Sequence, residues 1–257
     1  MKILVCIKQV PDMESRFSVD PSGTWYDSGD LAWRMNEYDE YAVEQAVLIK
    51  EQLEDADITV LSIGPQRVKE TIKKALAMGC DRAVHIEEER VHNRDPFEIA
   101  SLITAYASDK GFDLIFTGLQ SQDRGSGQVG LLLAEMLGVN GISTVVDFSL
   151  DGDQLTVQRE LEGGTRATIK TQLPALVTCQ LGLNTPRYPT LPNIMKAKKK
   201  DLLALGAEQL TQTASRQETI RLFLPDKKTG GLILEGDAAD LAEQLIRTIK
   251  EKTTVLS

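Results

Sequence analysis

The chain has 257 residues and a formal net charge of −9, with 42% hydrophobic and 26% charged residues, which is enough apolar material for a large core. The acidic excess argues against nucleic-acid binding, because neutralising phosphates needs a basic face. Three scattered cysteines and two histidines argue against a disulfide framework or a clustered metal site. No apolar run reaches the roughly 20 residues that span a bilayer, and a strand-like segment directly after Met1 leaves no room for a signal peptide. We therefore expect a cytoplasmic protein without membrane insertion.

Short apolar runs alternate with helical periodicity along the first two thirds of the chain. The runs at residues 3–7, 58–63, 82–86, 114–117 and 175–179 are typical of strands buried on both faces. Helical stripes lie between them, formed by Ala42, Ala46, Ile49 and Leu53 and by Val129, Leu132, Leu133, Met136 and Leu137. Asp95 and Pro96 predict the N-cap and first residue of a further helix. The alternation predicts an α/β fold with a doubly wound, mainly parallel sheet.

A hairpin signal and a tail follow. Residues 142–150 and 154–161 flank Asp151-Gly152-Asp153 and predict an antiparallel extension of the sheet. After Lys200 the pattern weakens until Asp237, which can cap a last amphipathic helix. That helix can pack on its own core or on another chain, and the sequence leaves both open. We expect one domain over residues 1–200 and a C-terminal arm over residues 201–257.

Four loops are candidates for a ligand site, because ligands of open parallel sheets bind beyond the carboxyl ends of the strands. They are residues 6–10, 35–39, 63–65 and 118–130. The last, GLQSQDRGSGQVG, has four glycines and precedes an apolar helix, which suits a phosphate. Its spacing matches neither a P-loop nor GxGxxG, so a plain loop capped by Ser126 is the alternative. We find no acid–base dyad and interpret His85 and His92 as structural or solvated, which favours binding or redox chemistry borrowed from a cofactor.

The segment PRYPTLPNIMKAKKK at residues 186–200 is the most distinctive of the chain. It places apolar residues beside lysines: Leu191, Pro192, Ile194 and Met195, then Lys196, Lys198, Lys199 and Lys200. Prolines exclude a long helix and stiffen the backbone, so capture by a partner would cost little entropy. The pattern is typical of a docking site; the alternative is a buried proline-rich connection followed by solvated lysines.

These segments resemble the beta subunit of electron-transfer flavoproteins over nearly the whole chain. VCIKQVPD resembles the family's first strand and loop, MNEYDEYAVEQAV its first helix, ALAMGCDRAVHI its second helix and next strand, and LPALVTCQLGLNTPRYPTLPNIMKAKKK its best-marked stretch. The signature around the hairpin fits as well, with Val157, Arg159, Glu162, Gly163, Gly164, Ile169 and Pro174. Ala167 stands where the family usually has Glu or Gln, so we expect one local contact to be missing.

The resemblance implies a Rossmann-like, adenine-nucleotide-binding domain that forms a heterodimer with an alpha subunit, which holds most of an FAD. The pocket implied in this chain takes AMP, or a second FAD in electron-bifurcating members. It comprises Cys6, Asn36, Glu37, Tyr38, Asp39, Ile63, Asp123, Arg124, Gly125, Ser126, Gly127, Gln128, Val129, Gly130, Leu131, Leu132, Leu133 and Ala134. The loop 184–200 would present Leu191 to an acyl-CoA dehydrogenase or similar flavoenzyme, and the tail 201–257 would contact the alpha subunit.

The occupant of the pocket stays open at this stage. AMP-type members carry several acidic residues at the start of the 123–134 segment, whereas here only Asp123 is acidic, followed by Arg124, Gly125 and Ser126. This slightly favours a dinucleotide-capable pocket, although AMP is the commoner occupant in the family. The alternatives are therefore an electron carrier, a bifurcating subunit that oxidises NADH, and a stand-alone adenine-nucleotide-binding regulator that needs no partner.

Overall fold

The structure is a computed structural model that describes residues 1–53, 55–210, 213–226 and 230–255. Its strands are Lys2–Cys6 (β1), Gln9–Pro11 (β2), Trp33–Met35 (β3), Asp57–Gly64 (β4), Arg82–Glu87 (β5), Leu114–Gly118 (β6), Asn140–Asp151 (β7), Gln154–Glu160 (β8), Arg166–Gln172 (β9), Ala175–Cys179 (β10) and Leu202–Gly206 (β11). Its α-helices are Glu37–Gln52 (α1), Val68–Met78 (α2), Pro96–Ala107 (α3), Val129–Leu137 (α4), Leu191–Ala197 (α5) and Ala238–Lys252 (α6).

One nine-stranded sheet has the order β11-β5-β4-β1-β6-β10-β7-β8-β9. Neighbours from β11 to β7 are parallel, and β8 and β9 continue as antiparallel strands. The five predicted strands are β1, β4, β5, β6 and β10, so the doubly wound, mainly parallel sheet is confirmed. The strand order reverses at β1, and the loops after β1 and β6 therefore border the crevice where such sheets bind ligands.

Helices cover both faces of the sheet because successive strand residues point to opposite sides. In β1, Ile3 and Val5 belong to a core that includes helices α1 and α2. Leu4 and Cys6 belong to a second core with helices α3 and α4. The two-sided burial explains why the central strands are apolar throughout.

The predicted hairpin is confirmed, since β7 and β8 meet at Asp151 and Gln154 and Gly152 takes the positive φ of 56° that the tight turn needs. The sequence does not predict β9, which pairs with β8, or β11, which pairs with β5 at the sheet edge. Neither strand has a fully buried residue. Both therefore lack the two-sided burial that marks the central strands.

Two compact units divide the chain, Met1–Leu222 and Phe223–Ser257. The first includes β11, which lies after residue 200 and joins the sheet beside β5. In the second, Asp237 caps α6 as predicted and accepts the amides of Ala239 and Asp240. No helix in the described parts of the chain has the length and apolarity to cross a membrane.

Helix ends follow the sequence signals with one correction. Asp95 and Glu98 form the capping box of α3, each side chain accepting the other's backbone amide. The apolar stripe of α1, however, ends before Leu53, which is the C-cap and 39% exposed. Leu53 leaves the stripe because α1 ends at Gln52, before the turn that would return it to the core.

The unusual Ala167 leaves a neighbouring arginine short of partners. Arg159 lies directly across from Ala167 in the β8–β9 ladder. Its Nη2 donates to Ser143 at 3.1 Å, but its buried Nε has no hydrogen-bond partner among the described residues. A longer acceptor at position 167 would lie on the same face as Arg159.

We predict that Ala167→Glu stabilises the protein by about 0.2–1 kcal/mol, the usual value of an opposite-charge cross-strand pair. Urea unfolding of the purified protein measures this as a higher midpoint. Ala167→Lys is the matched control, since a like charge opposite Arg159 lowers the midpoint. Equal shifts in both variants would contradict the missing-contact interpretation.

Candidate functional site: a cavity at the carboxyl edge of the sheet

A cavity of about 440 Å³ opens at the carboxyl ends of β1, β4 and β6. Cys6 and Ile63 line its base from the ends of β1 and β4, and the residues after β6 line one side. The cavity thus lies where the strand order reverses. The four candidate loops predicted from the sequence all contribute to its walls.

The first turn of α1 is fixed to both central strands by the buried carboxylate of Asp39. One oxygen accepts the Lys8 amide at 2.7 Å and the other the Gly118 amide at 3.0 Å. Burial raises the pKa of Asp39 to about 7, against the hydrogen bonds from Lys8, Asn36 and Gly118, which lower it. Asn36 holds the next loop, donating to the Gln120 carbonyl at 2.9 Å and accepting the Gln122 amide at 3.0 Å.

The glycine loop makes one side of the cavity favourable for an anion. Gly125 and Gly127 both have φ of 60°, a left-handed conformation that favours glycine. A Cβ on Gly130 would lie 2.6 Å from Cγ2 of Thr178 and 2.7 Å from Oγ1 of Thr117, so this glycine lets α4 begin directly against the sheet. The first amides of α4 have no intrahelical acceptor, and the positive end of the helix dipole makes this position favourable for an anion.

The single acidic residue of this loop is neutralised within the chain. The ammonium of Lys8 contacts both carboxylate oxygens of Asp123 at 2.6 and 2.7 Å, and the Asp123 side chain is only 4% exposed. Burial lowers the pKa of Lys8 below its usual value, and the Asp123 charge opposes that shift. Asp123 therefore does not add a free negative charge to the cavity.

Arg124 is held by neutral groups. Its guanidinium donates to the carbonyls of His92 and Arg94 and lies 4.8 Å from the ring centre of Trp25. Among the described residues no carboxylate forms an ion pair with it. Its positive charge is therefore available to an anion in the cavity.

An aromatic wall that sequence reasoning missed closes the outer side. Trp25 stacks on His92 with ring centres 5.4 Å apart and on Tyr26 at 4.4 Å, and Arg67 lies 3.8 Å from the ring centre of Trp33. All five residues line the cavity. They come from distant segments, and the only local signal was two tryptophans in the long connection between β2 and α1.

The cavity gathers most of the predicted pocket residues. Those that line it are Cys6, Asn36, Asp39, Ile63, Asp123, Arg124, Ser126, Gly127, Gln128, Val129 and Gly130. Glu37 and Tyr38 instead contact the outside of the loop after β6, accepting from the side chains of Gln122 and Gln120. The cavity lining does not include Gly125 or residues 131–134; in α4, Leu133 and Ala134 are buried in the core.

The proline-interrupted segment forms a short exposed helix, α5. Thr190 caps it by accepting the Asn193 amide, and Leu191 is 79% exposed while Met195 is 61% exposed. Lys196, Lys198 and Lys199 are exposed as well. The apolar residues of this segment therefore do not form a buried connection.

Comparisons with known proteins decide the family. The model of the electron transfer flavoprotein domain matches residues 24–210. The chain is 38% identical to the electron transfer flavoprotein subunit beta of Bacillus subtilis (strain 168), covering 100% of both chains. It is 32% identical to the subunit beta of Methylophilus methylotrophus over 98% of both chains, and 35% identical to that of Bos taurus over 98% of this chain and 97% of the relative. The chain belongs to the electron transfer flavoprotein beta-subunit family. Membership implies a role in electron transfer that involves a flavin and an alpha subunit.

In this beta-subunit chain, the ion pair between Lys8 and Asp123 controls the charge of the cavity. We predict that Lys8→Ala lowers the free energy of unfolding by roughly 3 kcal/mol, because it leaves a buried carboxylate unpaired. Chemical denaturation measures the loss.

The double variant Lys8→Ala/Asp123→Asn is the control. It removes the stranded charge and is expected to recover most of the stability. A double variant as unstable as Lys8→Ala alone would show that Lys8 acts through packing instead.

Proposed function

We propose that this chain is the beta subunit of a heterodimeric electron transfer flavoprotein that accepts electrons from an acyl-CoA dehydrogenase or a similar flavoenzyme. An FAD, held mainly by the alpha subunit and covered on one side by this chain, would supply the redox chemistry. The observation that carries the proposal is the exposed apolar cluster of Leu191, Ile194 and Met195 on a short, capped helix beside lysines, because an exposed apolar patch rimmed by charge marks an interaction site. Such a carrier would serve fatty acid oxidation.

The cavity fits the adenosine-phosphate part of an adenine nucleotide. The first turn of α4, the glycine loop and the guanidinium of Arg124 would hold phosphate oxygens. At the wall, the buried Oε1 of Gln9 has no hydrogen-bond partner among the described residues, so a ligand hydroxyl or amine would satisfy it. AMP is therefore the proposed occupant of this chain's own pocket.

A second candidate function, electron bifurcation with a second FAD and NADH oxidation, is favoured by two features of the glycine loop. The carboxylate of Asp123 is already compensated by Lys8, so it presents no barrier to a second phosphate. Arg124 adds a positive charge without a carboxylate partner in the described residues. Both features suit a dinucleotide.

The C-terminal unit and the compartment complete the proposal. No residue of α6 is buried, and its apolar residues Leu245 and Ile246 are exposed. We place this helix against the alpha subunit, which would cover the apolar stripe.

Three buried, unpaired cysteines suit a reducing compartment, and the cytoplasm is the proposed location.

Nucleotide extraction from the heterodimer coexpressed with its alpha subunit tests the cavity assignment. We expect one AMP beside one FAD per heterodimer; two FAD molecules would instead establish the bifurcating type. Ser126→Glu is expected to release the AMP while the FAD stays, because a carboxylate in the glycine loop before α4 repels phosphate. Ser126→Gln is the neutral control of similar size. Loss of neither nucleotide in Ser126→Glu would exclude this loop as the phosphate site.

Steady-state reduction by butyryl-CoA dehydrogenase with butyryl-CoA tests the docking assignment. We predict that Leu191→Ala raises the KM for the heterodimer about tenfold or more, because burying one leucine contributes roughly 1.5–3 kcal/mol. The flavin content should not change. Leu191→Met keeps an apolar tip and should stay near wild type, whereas an unchanged KM in Leu191→Ala would remove the docking assignment.

A further inference from the structure

Residues on both sides of the exposed helix α5 attach it to the rest of the fold, and the attachment uses buried and charged groups. We define the docking tip as residues 190–196, which include the exposed side chains of Leu191 and Met195. The helix of the tip lies beside α2, and residues on either side attach its two ends to the fold.

Before the tip, Arg187 binds two carboxylates of α1. Its Nε and Nη2 donate to Glu44 at 2.8 Å each, and its Nη1 and Nη2 donate to Glu51 at 2.6 and 3.1 Å. The backbone amide of Arg187 donates to Glu44 as well, at 3.1 Å. Glu44 is itself 4% exposed, so one of the two acceptors is a buried charge that this arginine satisfies.

A second contact at the same end supports the first. The amide nitrogen of Asn184 donates to the Tyr41 carbonyl and to the Gln45 side chain, both at 3.1 Å. Asn184 and Arg187 together bind successive turns of α1. The chain therefore reaches the tip in a fixed direction.

After the tip, the chain is fastened to α2. Ala197 is 5% exposed and belongs to the core. The ammonium of Lys200 donates to the carbonyls of Leu76 and Cys80 at 2.9 and 2.5 Å, which satisfies acceptors at the end of α2. Lys200 thus serves the fold, unlike the exposed lysines before it.

We infer that Arg187 is a positioning residue for electron-carrier docking: bound between Glu44 and Glu51 of α1, it orients the docking tip so that Leu191 meets the dehydrogenase. The inference rests on the proposed function, since it gives Arg187 no role unless Leu191 docks. A fixed tip loses less conformational entropy on capture than a free loop. Hydrogen bonds from Arg187 lower the pKa of Glu51, which favours the ionised form of this carboxylate.

A double-mutant cycle on the coexpressed heterodimer separates positioning from direct contact. The variants are Arg187→Ala, Leu191→Ala and the pair, assayed with butyryl-CoA dehydrogenase and butyryl-CoA. We expect Arg187→Ala to raise the KM about fivefold to tenfold with kcat nearly unchanged, from the added cost of ordering the tip. In the Leu191→Ala background the same change should have less than about a twofold effect, because the side chain that it positions is absent.

Two further variants keep the test decisive if Arg187→Ala folds poorly. Glu51→Gln removes the charge and one of the two acceptor oxygens of a side chain that is 55% exposed and should raise KM about twofold. Lys110→Ala is the matched control for charge, since it lies after α3 on the other face of the sheet and should leave KM unchanged.

Each pattern of KM values supports or contradicts a specific assignment. Effects of Arg187→Ala and Leu191→Ala that multiply would show that Arg187 contacts the dehydrogenase itself and would overturn the inference. A normal KM in both Arg187→Ala and Glu51→Gln with a raised KM in Leu191→Ala would overturn it while docking at Leu191 survives. A normal KM in Leu191→Ala would overturn both this inference and the docking assignment.

Discussion

The buried carboxylate of Asp39 is the interaction on which the rest of this molecule depends. It accepts amides that follow β1 and end β6, the two strands that border the reversal of strand order, and so fixes the start of α1 over the crevice. The fit leaves no space at Gly118, where a Cβ would lie 2.7 Å from Cβ of Tyr38 and closer still to Asp39. Burial of this carboxylate costs free energy, shown by its pKa of about 7, and the two backbone hydrogen bonds offset part of the cost. The position of α1 therefore determines the shape of the cavity.

The same helix supports the second functional surface. Asn36 and Asp39 at its start hold the cavity loops, whereas Glu44 and Glu51 further along hold Arg187. A single helix of 16 residues thus fixes the distance between the cavity and the docking tip. Under the proposed function this arrangement would keep the cofactor side and the partner side in register without a flexible connection.

The sequence predicts those parts of the fold and site in which the signal is local. Because β1 and β4 are buried on both faces, they appear in the sequence as apolar runs. The glycine loop could be predicted because a strand, several glycines and a helix follow one another along the chain. β9 and β11 lack a buried residue and gave no such run. The sequence does not predict the aromatic wall for another reason. Trp25, Arg67 and His92 come from separate connections and meet only in the folded chain. Likewise, Lys8 and Asp123 are 115 positions apart, so the ion pair that compensates the charge of the loop carboxylate depends on tertiary structure alone.

At the docking tip, the exposed charges and the apolar surface would have different roles. The chain as a whole carries a net charge of −9, which repels a partner with an acidic surface from most directions. Lys196, Lys198 and Lys199 are exposed beside the tip, so under the proposed function they would attract an acidic partner and favour the approach that brings Leu191 forward. Surface charges act mainly on the rate and orientation of encounter, whereas Leu191, which only a docked partner would bury, would determine how long the proposed complex lasts. Because one leucine contributes only a few kcal/mol, such a complex would still dissociate quickly, as repeated electron delivery requires.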